Sequence, residues 1–510
     1  MIKRLDNVKL SLSRPESDLI KIACNSAGGQ VKYFKILKKS LDARDKRNIF
    51  WVYSIAFSVG EVREEAPPLK KLANPPKVAV IGGGPAGLFC AVRLAEHGFA
   101  PIIIERGESV EGRRTTCLNF FENRILDTES NVQFGEGGAG AFSDGKLNTR
   151  TKDGLNRDVL SLFVRFGAPE DILYVNKPHV GSDRLYGVLQ NLRAFIGERG
   201  GQYLFDTKFV GFEKREGALT ALKLKNVKSG KESVLAVDCA VLAVGHSARD
   251  TYEMLNANGI YMEPRDFAVG VRIEHLAREV GLAQYGGSYG LLPAADYQLV
   301  SHAHERTVFT FCMCPGGVVI PAASEEGGVV VNGMSYRARD GENSNSALMV
   351  QMRREDFGGD LFAGVRFQRE LERRAFVLGG SNYRAPCQTY GDFRADRLSD
   401  GFGEVKPTYA AGVSFAPLGE LLPAVAVQAL KAAIPDMGRR LKGFDSPSAL
   451  LTGVESRFSS PVKIVRGADL QSVSLKNLYP CGEGSGYSGG ITSSAADGLN
   501  TAEAIFARYS

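Results

Sequence analysis

Two sets of residues in this 510-residue chain have the types and spacing to do chemistry. The first is Gly82-Gly83-Gly84-Pro85-Ala86-Gly87, a G-x-G-x-x-G run. Its first glycine permits a sharp turn, the second lets backbone approach a pyrophosphate, and the third lets a helix pack closely on a strand. The free N–H groups opening that helix would face the phosphates of a dinucleotide. The second set is Cys312-Met313-Cys314, with His302 and His304 just upstream. Residues two apart on a strand share a face. The two thiols could therefore exchange electrons with a redox cofactor, or gather with the histidines around zinc. The His and Cys spacing matches no standard zinc pattern, and strand alternation by itself would place Val308, Thr310, Cys312 and Cys314 on one buried face as structural residues. No metal is expected.

A glycine run binds a dinucleotide only where a strand precedes it and a helix follows. Val78 to Ile81 is a short apolar run, Leu88 to His97 has helical periodicity, and Pro101 to Ile104 is a second strand that ends in Glu105. That acid stands about where a ribose hydroxyl is held. The same glycine spacing recurs at Gly135–Gly140 and Gly484–Gly489, but only the first run sits between a strand and a helix with a second strand and an acid after it, so no second nucleotide domain is expected.

Around this core the chain divides into further pieces. Residues 1–66 read as a small α+β unit, 67–76 as a proline-bounded linker, and 77–260 as the first part of a nucleotide-binding domain. Asn131 to Leu147 is a glycine-rich loop suited to packing backbone against something flat or anionic. Alternating strands across 261–405, with one helical stretch at Phe367–Leu378, read as an inserted, mostly antiparallel domain. Residues 406–510 return the chain to the first domain. The expected class is α/β, a three-layer Rossmann-like domain with that insertion and a small α+β domain ahead of it.

Composition narrows the function classes. Residues 1–77 hold 16 Lys and Arg against 8 Asp and Glu, so all of the +6 net charge lies in that piece. Its basic stretch at 38–48, set beside aromatics, admits RNA or another polyanion as a partner. A solvated charged turn explains it equally well. No run of 18 apolar residues suggests a membrane span. The opening MIKRLDNVKL lacks a signal core, and 8 cysteines without a C-x-x-C fit a reducing, cytoplasmic setting.

The C-terminal stretch Leu478-Tyr479-Pro480-Cys481-Gly482-Glu483-Gly484, then Tyr487-Ser488-Gly489-Gly490-Ile491 and Ala495-Ala496-Asp497-Gly498, resembles the second flavin-binding motif of two-dinucleotide-fold flavoproteins. With VIGGGPAG, FGEGGAGAFSDGKLNTR, FCMCPGG, NGMSY and TGVESRFSSPVKI, the chain is similar over residues 30–510 to the FAD-dependent dehydrogenases often labelled NAD(FAD)-utilizing. The resemblance implies non-covalent FAD. Its ADP half would lie on Gly82, Gly84, Pro85, Ala86, Gly87, Glu105 and Arg106, with Gly245 near the adenosine. Gly138, Gly145, Lys146 and Leu147 would follow along the glycine-rich loop. Glu483, where many relatives use Asp, would meet the ribityl chain, flanked by Gly482 and Gly489. Gly490 and Ile491 would present N–H groups to the pyrimidine edge, where the helix dipole favours a reduced flavin.

Because flavin carries the electrons, the protein need supply only orientation and one proton. Lys146, with Ser143 and Asp144, would face the ring system, where Lys146 could polarise N5 or an anionic substrate. Glu455, Arg457 and Ser459 would clamp substrate, and His246 would donate a proton. The function expected is an FAD-dependent oxidoreductase acting on a small molecule, with NAD(P)H as a transient reductant. The alternatives are an RNA-associated flavoprotein and a flavin/thiol redox sensor built on Cys312 and Cys314.

Overall fold

The computed structural model describes residues 2–62, 69–148 and 154–510. Pro67 and Pro68 of the expected linker, and Thr149 and Arg150 at the end of the glycine-rich loop, lie outside the described residues.

The organising element is a five-stranded parallel sheet in the order Leu478–Pro480, Cys239–Leu242, Val78–Ile81, Ile102–Ile104 and Gln202–Leu204. Its three inner strands are apolar at every position because both faces are covered, whereas the edge strand Gln202–Leu204 begins with an exposed glutamine. Val78, Val80 and Val241 point to a helical layer that includes Pro85–Glu96 and Ile491–Tyr509. Ala79, Ile81 and Leu242 point the other way, against an antiparallel meander of Thr207–Arg215, Ala218–Asn226 and Glu232–Ala236. Helices, sheet and meander are the three layers expected. The apolar run 235–244 serves two of them: Leu235 ends in the meander, and the chain joins the parallel sheet at Cys239.

The second large unit is a seven-stranded sheet, ordered Val300–Ser301, Val308–Cys314, Asn343–Met352, Phe267–Leu276, Leu450–Glu455, Ala385–Thr389 and Val413–Phe415. Every pairing is antiparallel except the last. Two strands and the helix Ala424–Arg440 come from beyond residue 405, and that helix packs Ala426, Leu430 and Ile434 into this unit's core. The expected return at 406 therefore falls later. Val462–Ile464 pairs with Met262–Pro264, and only Leu478–Pro480 rejoins the parallel sheet. The reason is pairing across long separations, which no local pattern encodes: Leu450–Glu455 finds its partner at Phe267–Leu276.

Lys3–Ser11, Phe50–Ser58 and Tyr33–Asp42 form the N-terminal antiparallel sheet, with the helix Asp18–Ala27 on one face. Much of its positive charge is answered within the unit, through Arg4–Asp6, Lys39–Glu16 and Arg44–Asp42. It meets the rest of the chain through reciprocal backbone bonds, Lys39 N to Tyr174 O at 2.7 Å and Asn176 N to Lys39 O at 2.8 Å.

Candidate active site

The glycine run behaves as its types require. Gly82 has φ of 107°, and a Cβ there would collide with the Ala243 carbonyl of the neighbouring strand end. A Cβ on Gly87 would strike the Gly82 carbonyl, so its absence lets the helix start directly beneath the turn. Gly84 caps the helix in extended conformation, with only the Gly138 Cα nearby, at 3.8 Å from where a Cβ would stand. The second helix of the site starts at Ile491, capped by Gly490 without a side-chain bond, so its first N–H groups are open.

These two helix starts, separated by some four hundred residues of sequence, border one cavity of about 960 Å³. Gly82, Gly84, Pro85, Ala86, Glu105 and Arg106 line it from the first motif. Gly138, Lys146 and Gly245 line it from loops, and Glu483, Gly489, Gly490 and Ile491 from the C-terminal segment. Four expected contacts stand behind the wall. Gly87 and Gly145 serve close packing, and Gly482 donates its N–H to Asp497 at 2.7 Å. The Leu147 side chain is in the core, and its carbonyl accepts from the Thr492 hydroxyl at 2.8 Å.

The polar groups bear on what can be held. The Glu105 carboxylate accepts from the backbone N–H groups of Gly83 (2.7 Å), Gly135 (2.9 Å) and Gly107 (3.0 Å). A carboxylate has about four lone-pair sites, so one remains for a hydroxyl. Arg106 is committed elsewhere: it pairs with Asp250 and Glu129 and stacks 4.0 Å from the Phe134 ring centroid. Glu483 faces the cavity, and burial pushes its carboxyl up to about 7. Arg113, wholly buried, binds the carbonyls of Asn131, Val132 and Glu136 and so shapes the glycine-rich loop. Two helix starts without side-chain caps and the Glu105 and Glu483 carboxyls as hydroxyl acceptors together fit a dinucleotide such as FAD.

Of the expected chemical residues all but Ser459 reach the cavity, and three of them, Asp144, Glu455 and Arg457, have neutralising partners. Lys146, His246, Glu455 and Arg457 line it. Glu455 lies 3.1 Å from Arg272, and Arg457 grips Glu372 through bonds of 3.0 and 2.9 Å. They are two separate ion pairs, so the expected clamp has little charge to spare for a ligand. Asp144 is likewise paired with Arg339. His246 is held neutral, lowered to about 4 by burial and by the Arg457 charge, with Nδ1 3.0 Å from the Ser247 hydroxyl. Of the charged residues that sequence reasoning singled out for chemistry, only Lys146 has no side-chain hydrogen bond or ion pair to the described residues. Phe309, Phe311 and Phe458 add an aromatic wall, with edge-to-face contacts at 5.4 and 4.5 Å. Sequence reasoning missed them, and the apolar alternation of Val308–Cys314 was their only trace.

The zinc arrangement does not form. His302 and His304 turn to Thr307 and to the Arg306 backbone, and no group of three or more His, Cys, Asp or Glu side chains gathers as a metal site among the described residues.

Fold and cavity define an α/β flavoprotein of the FAD-dependent oxidoreductase class. Residues 76–251 match the model of the pyridine nucleotide-disulphide oxidoreductase domain, and residues 266–458 match that of the FAD-dependent protein C-terminal domain-like family. A Clostridium beijerinckii protein, named only as uncharacterized, is 44% identical over 536 aligned residues, covering 100% of this chain and 99% of its own. The chain therefore belongs to this family of FAD-dependent proteins. Among solved structures, a geranylgeranyl bacteriochlorophyll reductase-like protein of Thermoplasma acidophilum covers 85% of this chain and 79% of its own, at 12% identity and a TM-score of 0.37. The flavin-dependent halogenase CmlS covers 86% of this chain and 59% of its own, at 13% identity and a TM-score of 0.39.

Proposed function

We propose that the protein is an oxidoreductase that holds FAD non-covalently in this cavity and oxidises or reduces a small molecule against it. The observation that carries the reading is that two helix starts without side-chain caps, at Pro85 and Ile491, border one cavity. FAD supplies the two-electron chemistry when bound. The chain's residues then have defined tasks. The Gly82–Ala86 turn receives phosphates on backbone N–H groups, and Glu105 and Glu483 hold hydroxyls. Lys146 attracts an anionic group of the substrate, and the neutral imidazole of His246 exchanges one proton with it. Phe309, Phe311 and Phe458 exclude water around the substrate.

NAD(P)H is proposed as a transient reductant that enters the same space, because the remaining glycine runs serve no second nucleotide-binding sheet: Gly135–Gly140 lies in a loop of this cavity, and Gly484–Gly489 joins Leu478–Pro480 of the same parallel sheet to the helix Ile491–Tyr509. The test is anaerobic mixing of the yellow protein with NADH and with NADPH while flavin absorbance is followed. Rapid bleaching by one of them supports the reading and fixes the donor. Bleaching by neither removes the nicotinamide part, and a protein that purifies and reconstitutes without FAD removes the whole of it.

A further inference from the structure

The tasks above leave Cys312 and Cys314 unused. In a regular strand, residues two apart stand about 6.5–7 Å apart, beyond the roughly 3.5–4.5 Å between the Cβ atoms of a disulfide. Here the strand is not regular. Its ladder to Asn343–Met352 breaks between Phe311 and Cys314, and Cys312 has φ of 43°, a left-handed conformation uncommon outside glycine. Such a bulge re-aims a side chain. Cys312 consequently lines the cavity, and the Cys314 thiol donates to the Cys312 carbonyl at 3.2 Å.

The surroundings set this pair apart from the chain's other buried cysteines. The Arg272 guanidinium, 0% exposed, lies beneath it, donating to the Cys312 carbonyl at 2.9 Å and standing 3.7 Å from the Cys314 sulfur. A Cβ on Gly333 would overlap that guanidinium, so the glycine makes room for it. The Lys146 ammonium acts on both thiols from the cavity side. The result is asymmetric: the neighbouring Cys314 and burial raise Cys312, whereas Cys312, Arg272 and Lys146 lower Cys314 to about 7 against burial. Burial instead raises Cys90, Cys117, Cys239, Cys387 and Cys481. A thiolate beside a thiol is the arrangement that exchanges with a disulfide.

We propose that Cys312 and Cys314 are a redox-active pair that closes to a disulfide, its electrons passing to FAD in the same cavity. The inference rests on the FAD reading of that cavity. In the oxidising direction the S–H bond of Cys312 breaks and an S–S bond forms to Cys314. The two sulfurs together lose two electrons and one proton, and oxidised FAD, the oxidant in this step, takes all three.

The test uses wild-type holoprotein treated with diamide, cleaned of reagent and alkylated. The peptide that carries both residues should weigh less by two hydrogens and should regain its two alkylation sites after dithiothreitol, while the other six of the 8 cysteines are alkylated throughout. Anaerobic reductive titration of the oxidised holoprotein should then consume about twice the equivalents its flavin alone accepts. Cys312→Ser and Cys314→Ser proteins that retain FAD should consume only the flavin's share. A peptide that keeps both thiols under diamide, or a wild-type titration that ends at the flavin's share, would overturn the pair. Protein that carries no flavin but forms the disulfide would instead show that the FAD reading, and not the pair, is at fault.

Discussion

Glu483 shows how one carboxyl can report on an internal site. Burial lifts it from the ordinary 4.5 to about 7, so in flavin-free protein the folded chain resists its ionisation. A raised acid favours folding only while protonated, and that contribution falls away as pH climbs from 4.5 through about 7. Glu483→Gln should therefore melt like wild type near about pH 5 and be more stable near about pH 8, by roughly 1–3 kcal/mol. Thermal melts of the flavin-free proteins at the two pH values decide this, and equal melting at the higher pH would count against a buried, uncompensated carboxyl. Glu483 and Glu105 were both visible as acids placed after a motif strand. What could not be seen is that Glu105 spends three acceptor sites on backbone N–H groups, because Gly135 reaches it from a loop thirty residues away.

Between elements, two contacts decide how the site is assembled. The helix Arg249–Ala257 follows the parallel sheet, and the helix Ala363–Leu378 belongs to the inserted unit. Glu372 on the latter accepts Arg249 at 2.8 Å and Arg457 at 2.9 Å, with all three side chains nearly or wholly buried. Both guanidinium groups hold its carboxyl well below the usual carboxylate range against the cost of burial. This contribution is complete above the ordinary 4.5 and is lost as pH drops below it. Glu372→Gln leaves two buried cations short of a partner and should cost about 3–5 kcal/mol. Urea unfolding would measure it, and a loss below about 1 kcal/mol would show that water compensates the cations. The second contact is Gly498, where a Cβ would run into the Ala86 carbonyl as the C-terminal helix crosses the first motif helix. Gly498→Ala should cost about 1–3 kcal/mol and loosen flavin retention, read as a lower melting temperature and flavin lost on gel filtration. Gly498 was legible as part of a motif and the first motif helix as a periodic run; their crossing at this point was not.

Over the whole molecule, the FAD-type cavity lies between the nucleotide-binding layers and the seven-stranded sheet, and none of its lining residues comes from the N-terminal unit. Protein restricted to residues 69–510 is therefore expected to retain flavin with an unchanged absorbance per chain, and flavin loss on that truncation would place the small domain within the site. The sequence by itself determined the first strand–turn–helix, because glycine geometry and short-range periodicity encode it, and the resemblance of its motifs implied the family, the layered fold and most of the cavity's wall. Only the tertiary structure decided which charges remain free. Glu455 and Arg457, two residues apart in sequence and both expected to hold substrate, are taken by Arg272 and Glu372. The bulge that turns Cys312 toward the cavity was equally hidden. Ion pairing and strand register join residues far apart in the chain, and each depends on where the partner's backbone comes to rest, a quantity that no local pattern contains.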